Sequence, residues 1–138
     1  MFELQSVAGR PPGEQNRRLL IDGSFTGIVV AGTEISGTYR FGELTVVVIH
    51  HDYFDGIQHH FYVINSDGVL LDHVSAPDSF GFMQAVVRDS AMSICFGFFG
   101  TPGRWRLSVV PAGRWAFRVT PPFITRRFLH LHSSDPLS

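Results

Sequence analysis

Apolar and polar residues alternate with a period of two along most of the chain, the spacing of half-buried strands. Residues 17–22 and 24–31 flank Asp22-Gly23, residues 44–53 and 57–65 flank Asp55-Gly56, and residues 69–74 follow Asp67-Gly68. Asp-Gly readily adopts the positive φ that a two-residue hairpin turn requires, so these three dipeptides predict tight reversals. Residues 35–41 form a further strand. Residues 80–88, with Phe82, Met83, Val86 and Val87, suit a short helix as well as a strand. Residues 91–99 are apolar on both faces and predict a central strand.

The clearest amphipathic signal comes later. Arg104–Val110 and Arg114–Thr120 flank Pro111-Ala112-Gly113 and read as a hairpin. Alternation then puts Trp105, Leu107, Val109, Trp115, Phe117 and Val119 on a core face. Arg104, Arg106, Arg114 and Arg118 fall on the wet face. On this reading Trp115→Asp unfolds the domain. Residues 123–132 are the last strand. The expected architecture is an antiparallel β-sandwich or closed β-barrel of roughly 8–10 strands, with at most one short helix. Residues 1–16 read as a flexible arm, 17–132 as a single all-β domain, and 133–138 as a tail.

Composition adds bounds. The 138 residues fit one domain, and 13 phenylalanines can fill a core. No apolar run is long enough for a membrane-spanning helix, and Met1–Glu14 lacks the basic and apolar regions of a signal peptide. A lone cysteine, Cys95, cannot form an internal disulfide, so a cytoplasmic setting is expected. Lysine is absent, which fits a GC-rich bacterial genome. Charge is uneven: residues 1–100 hold five arginines against eleven acids, and residues 101–138 hold six against one. Either two faces of opposite sign or mutual attraction within the fold explains this split.

Five of the seven histidines lie between His50 and His73. Two-residue turns at Asp55-Gly56 and Asp67-Gly68 pair His51 with His60 and Tyr62 with His73, giving one sheet face with His51, His60, Tyr62 and His73. Directly opposed Cβ atoms stand about 4.5–5.5 Å apart, which permits shared ligation by His51 and His60. Zinc on His51, His60 and His73 requires the sheet to curl, so no cofactor is expected. The same four residues also suit the polar end of an apolar pocket, in a small-molecule barrel acting as a cyclase or isomerase. The opposite face, with Val48, Phe61, Val63 and Val74, reads as core, and Asp72 sits awkwardly within it.

No Gly-x-Ser-x-Gly or phosphate loop is present, and no exposed aromatic interleaves with the arginines to stack bases. The leading expectation is a non-enzymatic protein-interaction module of inhibitor, immunity or adaptor type. The arginine face would be its contact surface, and exposed edges are compatible with a homodimer.

Overall fold

The computed structural model describes residues 1–6, 16–53, 56–76, 81–117, 119–121 and 124–133. It has β1 (Phe2–Ser6), β2 (Asn16–Ile21), β3 (Ser24–Ala31), β4 (Glu34–Phe41), β5 (Leu44–Tyr53) and β6 (Gly56–Ile64). These are followed by β7 (Leu70–Ser75), β8 (Met83–Ser90), β9 (Ser93–Phe98), β10 (Thr101–Phe117) and β11 (Ile124–Ser133). The strands form three antiparallel sheets, ordered β1-β2-β3, β4-β5-β6-β7 and β11-β10-β9-β8. The fold is sandwich-like. The closed barrel is not formed.

Alternation along β5 and β6 assembles two cores from one sheet. Val46, Val48, Phe61 and Val63 point to one side and pack with Ile94, Phe96, Leu107, Val109 and Leu129 of the β8–β11 sheet. Val47, Ile49, Tyr62 and Ile64 point to the other side and pack with Leu19 and Val30 of the β1–β3 sheet. The β4–β7 sheet is thus covered on both faces, which explains the unbroken apolar run at Val46–Ile49. Contact on the second side is close at Gly32. There φ is +114°, and a Cβ would run into Ile49 and the His50 carbonyl.

Several local expectations hold. Asp22 and Gly23 both have positive φ, at 51° and 84°, and Ile21 pairs with Ser24 across a two-residue turn. β9 lies inside its sheet, as its two-sided apolar pattern requires. At Asp67-Gly68 the reversal is longer. Asn65 Oδ1 accepts from the Asp67 and Val69 amides, and a bulge pairs Ile64 with Leu70. From Val63↔Asp72 to His60↔Ser75 the pairing then runs as the sequence predicts.

Other expectations are corrected. Residues 2–6, part of the expected arm, form β1 and pair with β2; residues 7–15 and the tail 134–138 lie outside the described residues. Residues 83–90, where the sequence suits helix and strand alike, form a strand, bulged twice and carrying Ala85 at a φ of 52°. Bulges of this kind blunt an edge strand against pairing with other chains. Tyr53 pairs with Gly56, so the β5–β6 reversal falls two residues earlier in summed register than an Asp55-Gly56 turn would place it.

The largest correction is the arginine hairpin. Pro111-Ala112-Gly113 does not reverse the chain; β10 runs through it for 17 residues. Between Val109 and Arg114 β10 advances five residues while β11 advances two, from Leu129 to Arg127. The excess of three is odd, so it exchanges the two faces. Before the bulge Trp105, Leu107 and Val109 face the core. After it, Trp115 and Phe117 point outward with Arg126 and Ile124, while Arg114 and Ala116 point inward with Arg127 and Thr125. Gly113, at a φ of 77° and packed under the Arg126 side chain, permits the bulge. Trp115 is 67% exposed and is not a core residue.

Candidate functional site

The histidines of β5 and β6 divide between the two faces. His51 and His60 remain on one face with Tyr62 and His73, because the register shift of two preserves parity. They do not form a shared ligand set. His51 pairs with Gln58 rather than His60, His60 Nδ1 and Ser75 Oγ share a hydrogen bond of 2.7 Å, and His73 stacks on Tyr62 at 5.3 Å. No three His, Cys, Asp or Glu side chains converge as metal ligands among the described residues. Tyr62 is buried, and its hydroxyl accepts from the Ala31 amide at 2.9 Å, tying β3 to the central sheet. Burial raises the Tyr62 pKa, which that amide partly opposes. Burial, then the neighbouring His73 and His51, lowers the His60 pKa. The gradient along this face has a simple cause: the β1–β3 sheet packs over Val47, Ile49, Tyr62 and Ile64, whereas His51, His60 and His73 are only partly buried or exposed.

On the opposite face the sequence gives less warning. His50 pairs with His59, and both are buried. His50 Nδ1 lies 2.6 Å from Ser36 Oγ at a bulge in β4. Glu34 Oε2 stands 3.4 Å from Nε2, too far for an ordinary hydrogen bond. His59 is fully buried against Phe98, with ring centroids 4.6 Å apart, and neither ring nitrogen has a geometric hydrogen bond among the described residues. Its pKa falls to about 4, first from burial and then from His50 and His60, with Asp52 and the Ile57 backbone opposing. Parity arguments put His59 on this face; only the position of the β8–β11 sheet shows how deeply it is sealed.

The predicted arginine face separates into different environments. Arg104 Nη2 donates to the Ala85 carbonyl at 3.0 Å and clasps the bulge in β8. Arg106 Nη2 lies 2.8 Å from Asp89 Oδ2. These two hold the edge strand of their own sheet. Arg114 falls on the other face beyond the bulge, and Arg118 lies outside the described residues. Part of the charge asymmetry is therefore satisfied internally, since Arg106–Asp89 and Arg127–Asp72 both join the basic C-terminal part to the acidic remainder.

Asp72 explains its awkward place in an apolar strand. Its Oδ2 accepts from the Phe128 and Leu129 amides at 2.9 and 3.1 Å and faces Arg127 Nε at 3.2 Å. A carboxylate with this set of donors fastens β7 of one sheet to β11 of another. Arg127 Nη2 also donates to the His73 carbonyl at 3.3 Å.

The ribbon formed by the distal parts of β10 and β11 carries an in-register exposed apolar group. Phe117 pairs with Ile124, and Trp115 pairs with Arg126. Phe117 is 86% exposed and Ile124 51%, and Val119 follows at 96%. Arg126 lies over the Trp115 ring, 5.7 Å from its centroid, and donates to the Ala112 carbonyl. Of the other exposed aromatics, Phe25 has Arg18 4.0 Å over its ring and Phe82 meets the His50 ring edge-on, whereas Phe99 is 67% exposed and stands apart from the ribbon. Sequence alternation missed this surface because Pro111-Ala112-Gly113 reads as a hairpin turn that keeps Trp115 and Phe117 on the face of Trp105 and Leu107, where the chain instead continues through a face-exchanging bulge.

Inside the ribbon, a cleft of about 650 Å³ runs between β7 and the β10–β11 pair. Neither this cleft nor the one beside Ile21, Phe25 and Asp67 is lined by His51, His60, Tyr62 or His73. No family model, curated protein or solved structure matches the chain.

Proposed function

We propose that the protein is a binding module that docks a protein partner through the outer face of the β10–β11 ribbon. The supporting observation is the outward set of Trp115, Phe117 and Ile124 beside Arg126, produced by a bulge that turns them away from the core. Exposed apolar residues that are contiguous rather than scattered mark interaction surfaces. Tryptophan and arginine also dominate the energetics of protein interfaces. A complementary partner offers an apolar pocket rimmed by carboxylates, which would receive the two rings and meet Arg126. Burying such an aromatic anchor contributes on the order of 2 kcal/mol or more.

The test is photo-crosslinking in cell extract with benzophenone placed at Phe117. The same probe at Val29, which is 54% exposed on β3, serves as the control. The reading requires a discrete adduct at position 117 that is absent at position 29 and lost in the Trp115→Ser, Ile124→Ser variant. An identical adduct pattern from both positions rejects it. An adduct of twice the chain's own mass assigns the face to a second copy of the protein and also rejects the heterologous partner.

A further inference from the structure

We infer that the cleft on the inner face of the ribbon binds an amphipathic organic anion, with its carboxylate or phosphate head at Arg114 and Arg127 and its apolar body along Trp105, Leu129 and Leu131. This site is separate from the outer face, and its test does not depend on the docking proposal.

The bulge places Arg114 directly across the ladder from Arg127 on one face. Like charges opposed in this way destabilise a sheet unless something neutralises them. Arg127 has its counter-ion, because Asp72 holds Nε and the His73 carbonyl accepts from Nη2. Asp72 is in turn occupied by two backbone amides. Arg114 has no polar partner among the described residues. Among the described residues, the pair therefore offers one guanidinium fixed by a carboxylate and one with no counter-ion at the same mouth, an arrangement that suits a planar or tetrahedral oxyanion.

The cleft selects for more than charge. Its lining includes Val74, Trp105, Leu129 and Leu131, and its volume of about 650 Å³ lies in the range of small-molecule sites. A bare inorganic ion would leave that apolar lining wet. An extended peptide adding to β7 is disfavoured for a different reason. Ala76 donates to His59 on β6, so by strand alternation the backbone groups of Ser75 and His73 point the other way, toward the open edge. At His73 both are taken, the amide by Asp72 Oδ1 and the carbonyl by Arg127. The edge is closed to a continuous ladder where a strand would need it.

The protein contains two tryptophans, so Trp115→Phe leaves Trp105 in the cleft as the sole indole reporter. Octanoate, octyl phosphate and uncharged octanol are titrated against its emission, in that background and with Arg114→Gln or Arg114→Lys added. The inference requires a saturable change with octanoate or octyl phosphate. It also requires binding about tenfold weaker for octanol and for Arg114→Gln, with Arg114→Lys retaining most of the affinity. Tighter binding of one anion over the other assigns the head group. No saturable change with either anion, equal binding of octanol, or unaltered binding in Arg114→Gln overturns it. Circular dichroism confirms that the exposed substitutions leave the fold intact.

Discussion

Replacing His59 by Phe should remove a large part of the protein's acid sensitivity. The imidazole is fully buried between Phe98 and His50, and neither nitrogen has a geometric hydrogen bond among the described residues. Protonation would place a charge in a desolvated site beside His50 and His60, which Asp52 and the Ile57 backbone only partly offset, and the folded-state pKa accordingly drops from 6.5 to about 4. The unfolded chain binds a proton at His59 near pH 6.5, whereas the folded chain does so only near pH 4. Between these values the unfolded state holds more protons. The contribution of neutral His59 is therefore complete above pH 6.5 and is lost as the pH falls toward 4. At about 1.4 kcal/mol per unit, that shift amounts to about 3 kcal/mol between pH 7 and pH 4.

The assay is urea unfolding of wild type and His59→Phe across that range. Carboxylates and the other histidines titrate in both proteins and cancel in the difference. Wild type should lose about 3 kcal/mol more than the variant on going from pH 7 to pH 4. At pH 7 the variant should be close to wild type in stability. A phenyl ring can stack on Phe98, and removing two unpaired polar atoms offsets the added volume. Parallel stability curves for the two proteins would refute the reasoning, as would an NMR titration placing His59 near its ordinary value.

Three further outcomes follow from individual contacts. Asp72→Ala removes the acceptor of two partly buried backbone amides and the partner of Arg127, and should cost about 2–4 kcal/mol in urea unfolding. Tyr62→Phe deletes only the hydroxyl that receives the Ala31 amide, and should cost about 1 kcal/mol while slowing no other strand pairing detectable by amide exchange. Trp115→Asp should change stability by less than about 1 kcal/mol, whereas Leu107→Ala, fully buried in the core, should cost about 2–5 kcal/mol. A melt in which Trp115→Asp unfolds the protein would restore Trp115 to the core.

Much of the fold was legible in the sequence because its information is local. The Asp22-Gly23 turn needs only two residues with positive φ, and the apolar run at β9 announces an interior strand. The parity of His51, His60, Tyr62 and His73 survived a register shift because two is an even number. What escaped was set by partners distant in sequence. The second core on the central sheet requires β1–β3 to fold over it, and nothing in β5 alone says which half of its apolar residues meets which neighbour. Asp72 looks misplaced until Phe128, Leu129 and Arg127 arrive from β11. Pro111-Ala112-Gly113 has the composition of a turn, but continued pairing of both flanks with β11 makes it a bulge. That single substitution of bulge for turn moved Trp115 and Phe117 from core to surface and separated Arg114 from Arg104 and Arg106.

Acrylamide quenching of Trp115 in Trp105→Phe protein, at dilution low enough to exclude self-association, addresses that face exchange directly. Trp115 should emit as a solvent-exposed indole, and quenching should be nearly as efficient as in the urea-unfolded chain. A blue-shifted emission shielded from acrylamide would mean that residues 111–113 keep Trp115 on the core face of Trp105 and Leu107, with no face-exchanging bulge. Neither the outward aromatic face nor the inward Arg114 would then exist.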